Sequence, residues 1–233
     1  MDNLWDERAL KFWVGLKKSA RHEGHAKRPV ELGELSQFVK LRVQTGTEAG
    51  IRDANMANVC FCVRRSKEML SFMRSHITMK PDWAELFVAK QKNDPSGLGM
   101  VCVVPRISAL GPACPATMLG AWVAAWDAKW GVRGITEGPL FYTTGKKVVI
   151  PVSSDNWRKN WSAKMSSDSA VGTHSLRKGG AKWYRSSGRC PEDAVQVQGG
   201  WAHRETMQQV YIRETQEKLR RQLLAAANTA IGR

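Results

Sequence analysis

Hydrophobic residues recur at helical spacing along most of this chain, which predicts a mainly α-helical protein. Residues 4–20 are the first segment with this spacing, and the polar, unpatterned residues 21–28 that follow indicate a linker. A second helix is predicted to begin at Pro29 and Val30 and to have one apolar face. That face carries Leu32, Leu35, Phe38 and Val39.

Later segments repeat the helical pattern between proline and glycine breaks. Residues 51–72 are expected to form two successive helices, after which Pro81 interrupts the pattern. Thr173 is the predicted N-cap of a helix that continues through Tyr184 and ends at Gly188. The remaining helical segments are residues 115–130, a stretch from residue 156 onward, 191–199, 203–213 and 214–228.

Two short runs are rich in β-forming residues, and they cover residues 84–89 and 100–105. The turn-rich residues 93–99 lie between them, so the pair is predicted to form a β-hairpin with a long loop. Residues 131–154 have the composition of a loop, with one possible strand at 148–151. The predicted fold class is α+β, mainly α, with a small antiparallel β-sheet.

The composition adds a strongly basic charge to this picture. Lysine and arginine number 36 against 21 acidic residues, which gives a formal net charge of +15. Such an excess favours a polyanionic partner, because each phosphate that is neutralised releases condensed counterions. The basic residues are spread along the chain, which suits a folded surface on a duplex better than a flexible basic arm.

The cysteines and the hydropathy indicate a reducing, aqueous compartment. There are five cysteines and no CxxC pair, and Cys60 and Cys62 lie in an apolar run, so they are predicted to be buried reduced thiols. The five histidines do not cluster with the cysteines at the spacing of zinc ligands. No stretch approaches the length of a membrane span, and the N-terminus lacks a signal-peptide pattern. An intracellular protein without a membrane, metal or cofactor requirement is expected.

His174 and Arg177 are three residues apart at the start of a predicted helix, so both side chains project from one face. A helix start also presents free N–H groups to an anion. The pair therefore suggests a phosphate site, although a solvated basic helix end has the same pattern. Tyr211 follows Arg177 by 34 residues, after a Gly-Gly-Trp turn. Taken alone, a tyrosine in this position is usually a packing residue.

Three segments resemble the second conserved box of the tyrosine recombinase, or phage integrase, family. They are HSLRKGGA at 174–181, QGGW at 198–201 and VYIRE at 210–214, and the GGW form is similar to Cre-like members. The family's first arginine box resembles the chain when its arginine is placed on Arg65. Glu68 then takes the place of the acid, and Met69 takes that of the leucine.

The family's hairpin lysine resembles Lys92, which is followed by a glycine-containing turn, and Lys90 is the alternative. Two positions depart from the family pattern. Asn93 replaces the usual threonine, and Tyr211 follows Trp201 by ten positions, one more than the family spacing.

The resemblance spans about residues 28–225 and implies a domain organisation. Residues 1–27 would be the last helix and linker of an N-terminal DNA-binding domain, and residues 28–213 would be the catalytic domain. Residues 214–233 would form a C-terminal helix. Two arrangements remain open for this helix: it folds back on its own core, or it docks on a neighbouring protomer of a tetramer on DNA.

The resemblance also implies a site-specific DNA recombinase or integrase of a mobile element, which works through a covalent 3′-phosphotyrosine intermediate. Arg65 and Arg177 would bind the scissile phosphate, and Trp201 would donate its indole N–H to it. His174 would accept the proton of the Tyr211 nucleophile, and Lys92 would protonate the leaving 5′-hydroxyl. Double-stranded DNA is the implied partner. Neither a metal nor a cofactor is implied, and no small-molecule substrate.

Three other functions share parts of this pattern. A type IB topoisomerase would use the same kind of pocket to relax supercoils, but the GGW box and the terminal helix favour a recombinase. A catalytically inactive DNA-binding relic of a mobile element would keep the fold and lose the activity. An RNA-binding or ribosomal basic protein would explain the charge but not the combined spacing of Arg65, His174, Arg177 and Tyr211.

Overall fold

The computed structural model of the chain describes residues 27–62, 64–89, 98–165, 171–186 and 191–201. The helices expected at 4–20, 203–213 and 214–228 lie outside the described residues. Within the described part the chain forms seven α-helices. They are α1 (Leu32–Gln44), α2 (Glu48–Phe61), α3 (Ser66–Leu70), α4 (Pro115–Trp130), α5 (Ser154–Met165), α6 (Thr173–Ser186) and α7 (Glu192–Gly199).

The helix starts have local causes in the sequence. Thr47 caps α2, since its side-chain oxygen accepts a hydrogen bond of 3.1 Å from the amide of Gly50. Pro115 occupies the first turn of α4, where a missing N–H removes no intrahelical hydrogen bond. Gly200 follows α7 in the left-handed conformation, with φ of +63°, a backbone state that favours glycine.

Three strands form one antiparallel sheet in the order β1 (Ile77–Met79), β2 (Trp83–Val88) and β3 (Met100–Pro105). The register pairs Leu86 of β2 with Ile77 on one side and with Cys102 on the other. All three of these side chains are buried, and β2 and β3 pack against α4. The opposite face carries exposed apolar residues, among them Trp83 and Val101.

Helix α2 lies at the centre of the helical part. Eleven of its fourteen residues are buried, because α1, α4 and α6 all pack against it. Five buried tryptophans extend the core along α4 and α5. They are Trp122, Trp126, Trp130, Trp157 and Trp161. This packed core supports the segment that follows α2, which leads to Arg65 and α3.

The predicted fold class is confirmed, and most described elements lie within a few residues of the sequence prediction. The structure corrects four details. The sheet has a third strand, β1, which was not predicted, and residues 148–151 form no strand but only one isolated bridge, between Pro151 and Tyr142. Helix α3 ends at Leu70, not at residue 72. Thr173 is the first residue of α6 and not its N-cap.

The four cysteines in the described residues are buried free thiols, which confirms the prediction for Cys60 and Cys62. They are Cys60, Cys62, Cys102 and Cys114. Burial raises the pKa of both Cys60 and Cys62 to about 12, so these thiols stay protonated at neutral pH. No helix in the described ranges is long and apolar enough to cross a membrane.

Candidate active site

A pair of glycines lets α6 approach the core more closely than any other residue would allow. A β-carbon on Gly180 would overlap the carbonyl oxygen of Phe61 at the end of α2, and one on Gly179 would overlap that of Val30. The amide of Val30 also donates a 3.0 Å hydrogen bond to the carbonyl of Ser175. These contacts fix the rotation of α6, and hence the direction of its first turn.

The turn after α7 is built around the Gly-Gly-Trp sequence. A β-carbon on Gly199 would overlap the ring of Trp201, so the indole packs directly on the helix end. Gly200 turns the chain through its positive φ. Gln196 holds the turn at two points: its backbone carbonyl accepts from the amide of Trp201 at 3.2 Å, and its side chain donates to the carbonyl of Trp201 at 3.1 Å.

Arg65 is the N-cap residue of α3 and is held by Glu68. One Glu68 oxygen accepts from the Arg65 guanidinium at 2.7 Å, and the other accepts from its backbone amide at 3.1 Å. A second guanidinium nitrogen donates to the carbonyl of Gly200 at 3.4 Å. The Arg65 side chain is 27% exposed, so the group is anchored on one side and open to solvent on the other.

Arg177 is more deeply enclosed, with only 3% of its surface exposed. Its Nη2 donates to the carbonyl of Gly199 at 2.8 Å, and its guanidinium carbon lies 4.1 Å from the centroid of the Trp201 ring. Its Nη1 is buried and has no hydrogen-bond partner among the residues that the structure describes. A buried donor without a partner is costly, so this nitrogen is suited to receive an anionic oxygen.

The two arginines therefore converge on consecutive carbonyls of one turn, although 112 residues separate them in the sequence. Burial and the positive charge of Arg65 lower the pKa of Arg177 to about 9. The guanidinium remains charged at neutral pH, and the nearby charge of Arg65 adds to the effect of burial. An anion placed between the two groups would be stabilised by both.

His174 lies on the first turn of α6, one helical turn before Arg177, and part of its surface is exposed. The protein that surrounds the ring lowers its pKa by desolvation, and the charges of Arg177, Lys178 and Arg65 lower it further. The imidazole is consequently neutral at pH 7 and able to accept a proton. His174 thus shares the electrostatic field of the arginine pocket.

Sequence reasoning selected one of two adjacent arginines, and the structure gives the two different surroundings. Arg64 is fully buried, donates to the sulfur of Met100 at 3.5 Å, and lies 3.3 Å from the second Glu68 oxygen. Arg65, by contrast, is the one beside Arg177. Glu68 therefore has an arginine on each side, and the contact between Glu68 and the buried Arg64 was not predicted from the sequence.

Two predicted catalytic residues cannot be placed. Lys92 lies outside the described residues, as does its alternative Lys90, and so does Tyr211. The structure thus brings together Arg65, His174, Arg177 and Trp201. Within the described ranges, no three side chains of the metal-binding types come together. A separate cavity of about 400 Å³, lined by Arg74, Trp126 and Asp127 among others, shares no residue with this pocket.

No protein-family model matches the chain, and no curated protein matches it by sequence. Solved structures do. The XerH site-specific recombinase in complex with its palindromic difH substrate aligns with a TM-score of 0.57 at 15% identity, over 85% of this chain and 53% of that one. XerA recombinase aligns with a TM-score of 0.54 at 14% identity, over 83% of this chain and 65% of that one.

A lambda integrase dimer bound to a core site aligns with a TM-score of 0.53 at 14% identity, over 79% of this chain and 48% of that one. The chain has the catalytic-domain fold of the tyrosine recombinases. It spans about half the length of XerH and of lambda integrase. Within this tyrosine recombinase fold, the described pocket is formed by the start of α3, the start of α6 and the turn after α7.

Proposed function

We propose that this chain cleaves and rejoins DNA as a site-specific tyrosine recombinase, through a covalent 3′-phosphotyrosine formed on Tyr211. The observation that carries the proposal is the convergence of Arg65 and Arg177 on the Gly199-Gly200 turn. The fold supports the same assignment, because its solved neighbours are DNA recombinases.

Electrostatics explains why such a pocket suits a phosphodiester. Three arginines and one carboxylate lie together, Arg64, Arg65 and Arg177 with Glu68, which leaves an excess of two positive charges. Keeping like charges close in a partly buried site costs free energy unless an anion enters. The transition state of phosphoryl transfer spreads charge over its equatorial oxygens, and arginine forks bind such oxygens in a bidentate way.

The proposed reaction needs two proton transfers. The phenolic oxygen of Tyr211 attacks the phosphorus while His174 accepts the phenolic proton, and the bond from phosphorus to the 5′-oxygen breaks. Lys92 protonates that departing oxygen. A phenol with a pKa near 10 is ionised about once in a thousand molecules at neutral pH, so a neutral imidazole nearby lowers the barrier. His174 meets that requirement, since its pKa is lowered.

The proposed partners are duplex DNA and further copies of the same chain. XerH was solved with difH DNA, and lambda integrase was solved as a tetramer bound to a Holliday junction. In this proposal residues 1–27 are the end of a DNA-binding domain and residues 28–213 are the catalytic domain. Residues 214–233 would then dock on a neighbouring protomer and link the active sites.

A trapping experiment tests the proposal without knowledge of the target site. The full chain is incubated with a library of randomised duplexes that carry a nick, so that cleavage releases a short strand and prevents religation. Covalent complexes are recovered under denaturing conditions and sequenced. We expect a recovered motif and a protein-linked 3′-phosphate, and we expect both to be lost in Tyr211→Phe.

The selected motif then distinguishes the related activities. Exchange of strands between two labelled duplexes identifies a recombinase, whereas relaxation of supercoiled plasmid without exchange would identify a topoisomerase-like enzyme. Reversible binding to DNA, with no adduct from any duplex in the library, would refute the catalytic proposal. Arg177→Lys is the matched control for the pocket, because it keeps the charge but removes the fork that binds two oxygens.

A further inference from the structure

The side chain of Gln198 closes the open edge of the sheet at one residue. β3 is an edge strand of the described sheet, and the backbone N–H and C=O of Val103 both bond to Gln198. Gln198 satisfies both groups: its Oε1 accepts from the Val103 amide at 3.0 Å, and its Nε2 donates to the Val103 carbonyl at 2.6 Å. The side-chain amide thus takes the place of one residue of a neighbouring strand.

A third contact ties the same amide to the end of α2. Nε2 of Gln198 also donates to the carbonyl of Cys62 at 3.2 Å, three residues before Arg65. One side chain therefore joins the last turn of α7 to β3 and to the segment that leads into α3. An apolar side chain of the same size would make none of these contacts.

The position of Gln198 in the chain connects this clamp to the pocket. The next two residues are Gly199 and Gly200, whose carbonyls accept from Arg177 and Arg65. Holding Gln198 therefore fixes the two oxygens that orient the guanidinium groups. In the sequence, β3 also follows the segment that carries Lys92. Gln198 therefore connects the β2–β3 hairpin to the same Gly199-Gly200 turn.

We propose that Gln198 is a positioning residue that sets the geometry of the arginine pocket relative to the hairpin; the kinetic part of this inference rests on the proposed function. Gln198 touches neither the reacting atoms nor the DNA phosphate in this scheme. It acts through the turn that follows it. Small displacements of groups around a reacting centre reduce rates steeply, by about 100-fold for 1 Å.

The test compares Gln198→Leu and Gln198→Glu with wild type, using the full chain. Leucine removes all three hydrogen bonds, whereas glutamate keeps an acceptor for the Val103 amide and loses the donor to the two carbonyls. Gln37→Leu is the matched control, because Gln37 is an exposed residue of α1. Circular dichroism establishes that each variant is folded.

Two readouts are independent of activity. Amide exchange at Val103 should accelerate in Gln198→Leu, and the Nε–Hε signals of Arg65 and Arg177 should move in ¹⁵N spectra, whereas Gln37→Leu should change neither. With a selected suicide duplex, the single-turnover rate of adduct formation should fall by about 10- to 100-fold, while the Kd for uncleaved DNA stays within about twofold. The rate of adduct formation for Gln198→Glu should lie between those of Gln198→Leu and wild type.

Unchanged arginine signals in a folded Gln198→Leu protein would overturn the inference and leave Gln198 as an edge cap only. Equal cleavage rates in Gln198→Leu and wild type would overturn it as well. If wild type itself forms no adduct, the proposed function fails. The arginine signals would still decide whether Gln198 positions the pocket, so the two failures are distinguishable.

Discussion

At the scale of single residues, the pocket depends on how charge is shared among a few side chains. Glu68 neutralises part of the charge on Arg64 and Arg65, while Arg177 has no carboxylate partner among the described residues. Desolvation of the His174 ring and the field of these guanidinium groups both disfavour a positive charge on it. Desolvation, together with the same field that attracts a phosphate, therefore favours the unprotonated form of the proposed base.

This arrangement predicts the pH dependence of the proposed cleavage reaction. Because desolvation and the nearby cations lower the pKa of His174 below its ordinary value of 6.5, the neutral ring predominates at pH 7. We expect the cleavage rate to fall only below pH 6.5, by about tenfold per pH unit beneath the pKa of His174. An NMR titration of the ring, together with a pH–rate profile for single-turnover cleavage, measures both quantities.

Lys178→Met provides the comparison, because it removes one of the charges that lower the pKa of His174. The titration midpoint and the acid limb of the rate profile should both move to higher pH in this variant. An acid limb above pH 6.5 in wild type, or one that does not follow the titration of His174, would exclude the ring as the base.

Residue-level detail also marks the limit of what the sequence reveals here. A helix start with His174 and Arg177 on one face follows from the three-residue spacing alone. Gln198 gives no such signal, because its partners Cys62 and Val103 are distant in the chain and are brought to it only by folding. From the sequence alone, a polar residue within a short helix is predicted to be exposed to solvent.

At the scale of elements, close backbone contact determines where α6 lies. Gly179 and Gly180 place the first half of α6 against the backbone of α2 and of the segment before α1. No room is left there for a methyl group. Dense packing of this kind transmits small displacements from one helix to the next, because protein interiors have low compressibility. A shift of α6 would move His174 and Arg177 together away from Arg65.

A methyl group at this crossing should therefore be destructive. We expect Gly180→Ala to lower the free energy of unfolding by about 3 kcal/mol or to prevent folding, since the new β-carbon overlaps the carbonyl oxygen of Phe61. Gly33→Ala is the matched control in α1, where the new β-carbon has no atom within 4 Å. This change should raise the free energy of unfolding by up to about 1 kcal/mol. Urea unfolding measures both, and a neutral Gly180→Ala would show that α6 can move away at little cost.

The errors in the predicted elements share a physical cause. β1 is only three residues long and buries only Ile77. Its alternation of apolar and polar residues is therefore too short to distinguish a strand from a loop. Residues 148–151 have β-forming side chains, but Val148 and Ile150 are exposed, and in the described part of the chain their pairing is limited to one bridge, between Pro151 and Tyr142. Strand formation depends on a partner, and the sequence does not identify one.

At the scale of the whole molecule, the net charge of +15 is carried by a fold whose solved neighbours bind DNA as longer chains. For the proposed binding to duplex DNA, this charge predicts that electrostatic attraction to the phosphates supplies a large share of the affinity. That attraction has a measurable signature, because each neutralised phosphate releases counterions into solution.

We therefore expect duplex binding to weaken steeply with salt, by about 1,000-fold between 50 and 200 mM if six or more phosphates are neutralised. Fluorescence anisotropy over a salt series gives the slope. Arg65→Gln should reduce that slope by about one, since one phosphate contact is lost, whereas Tyr211→Phe keeps every charge and should leave it unchanged. A slope near zero would show that the basic surface does not bind the backbone. The arginine pocket would then have to recognise an anion other than the phosphate of a duplex.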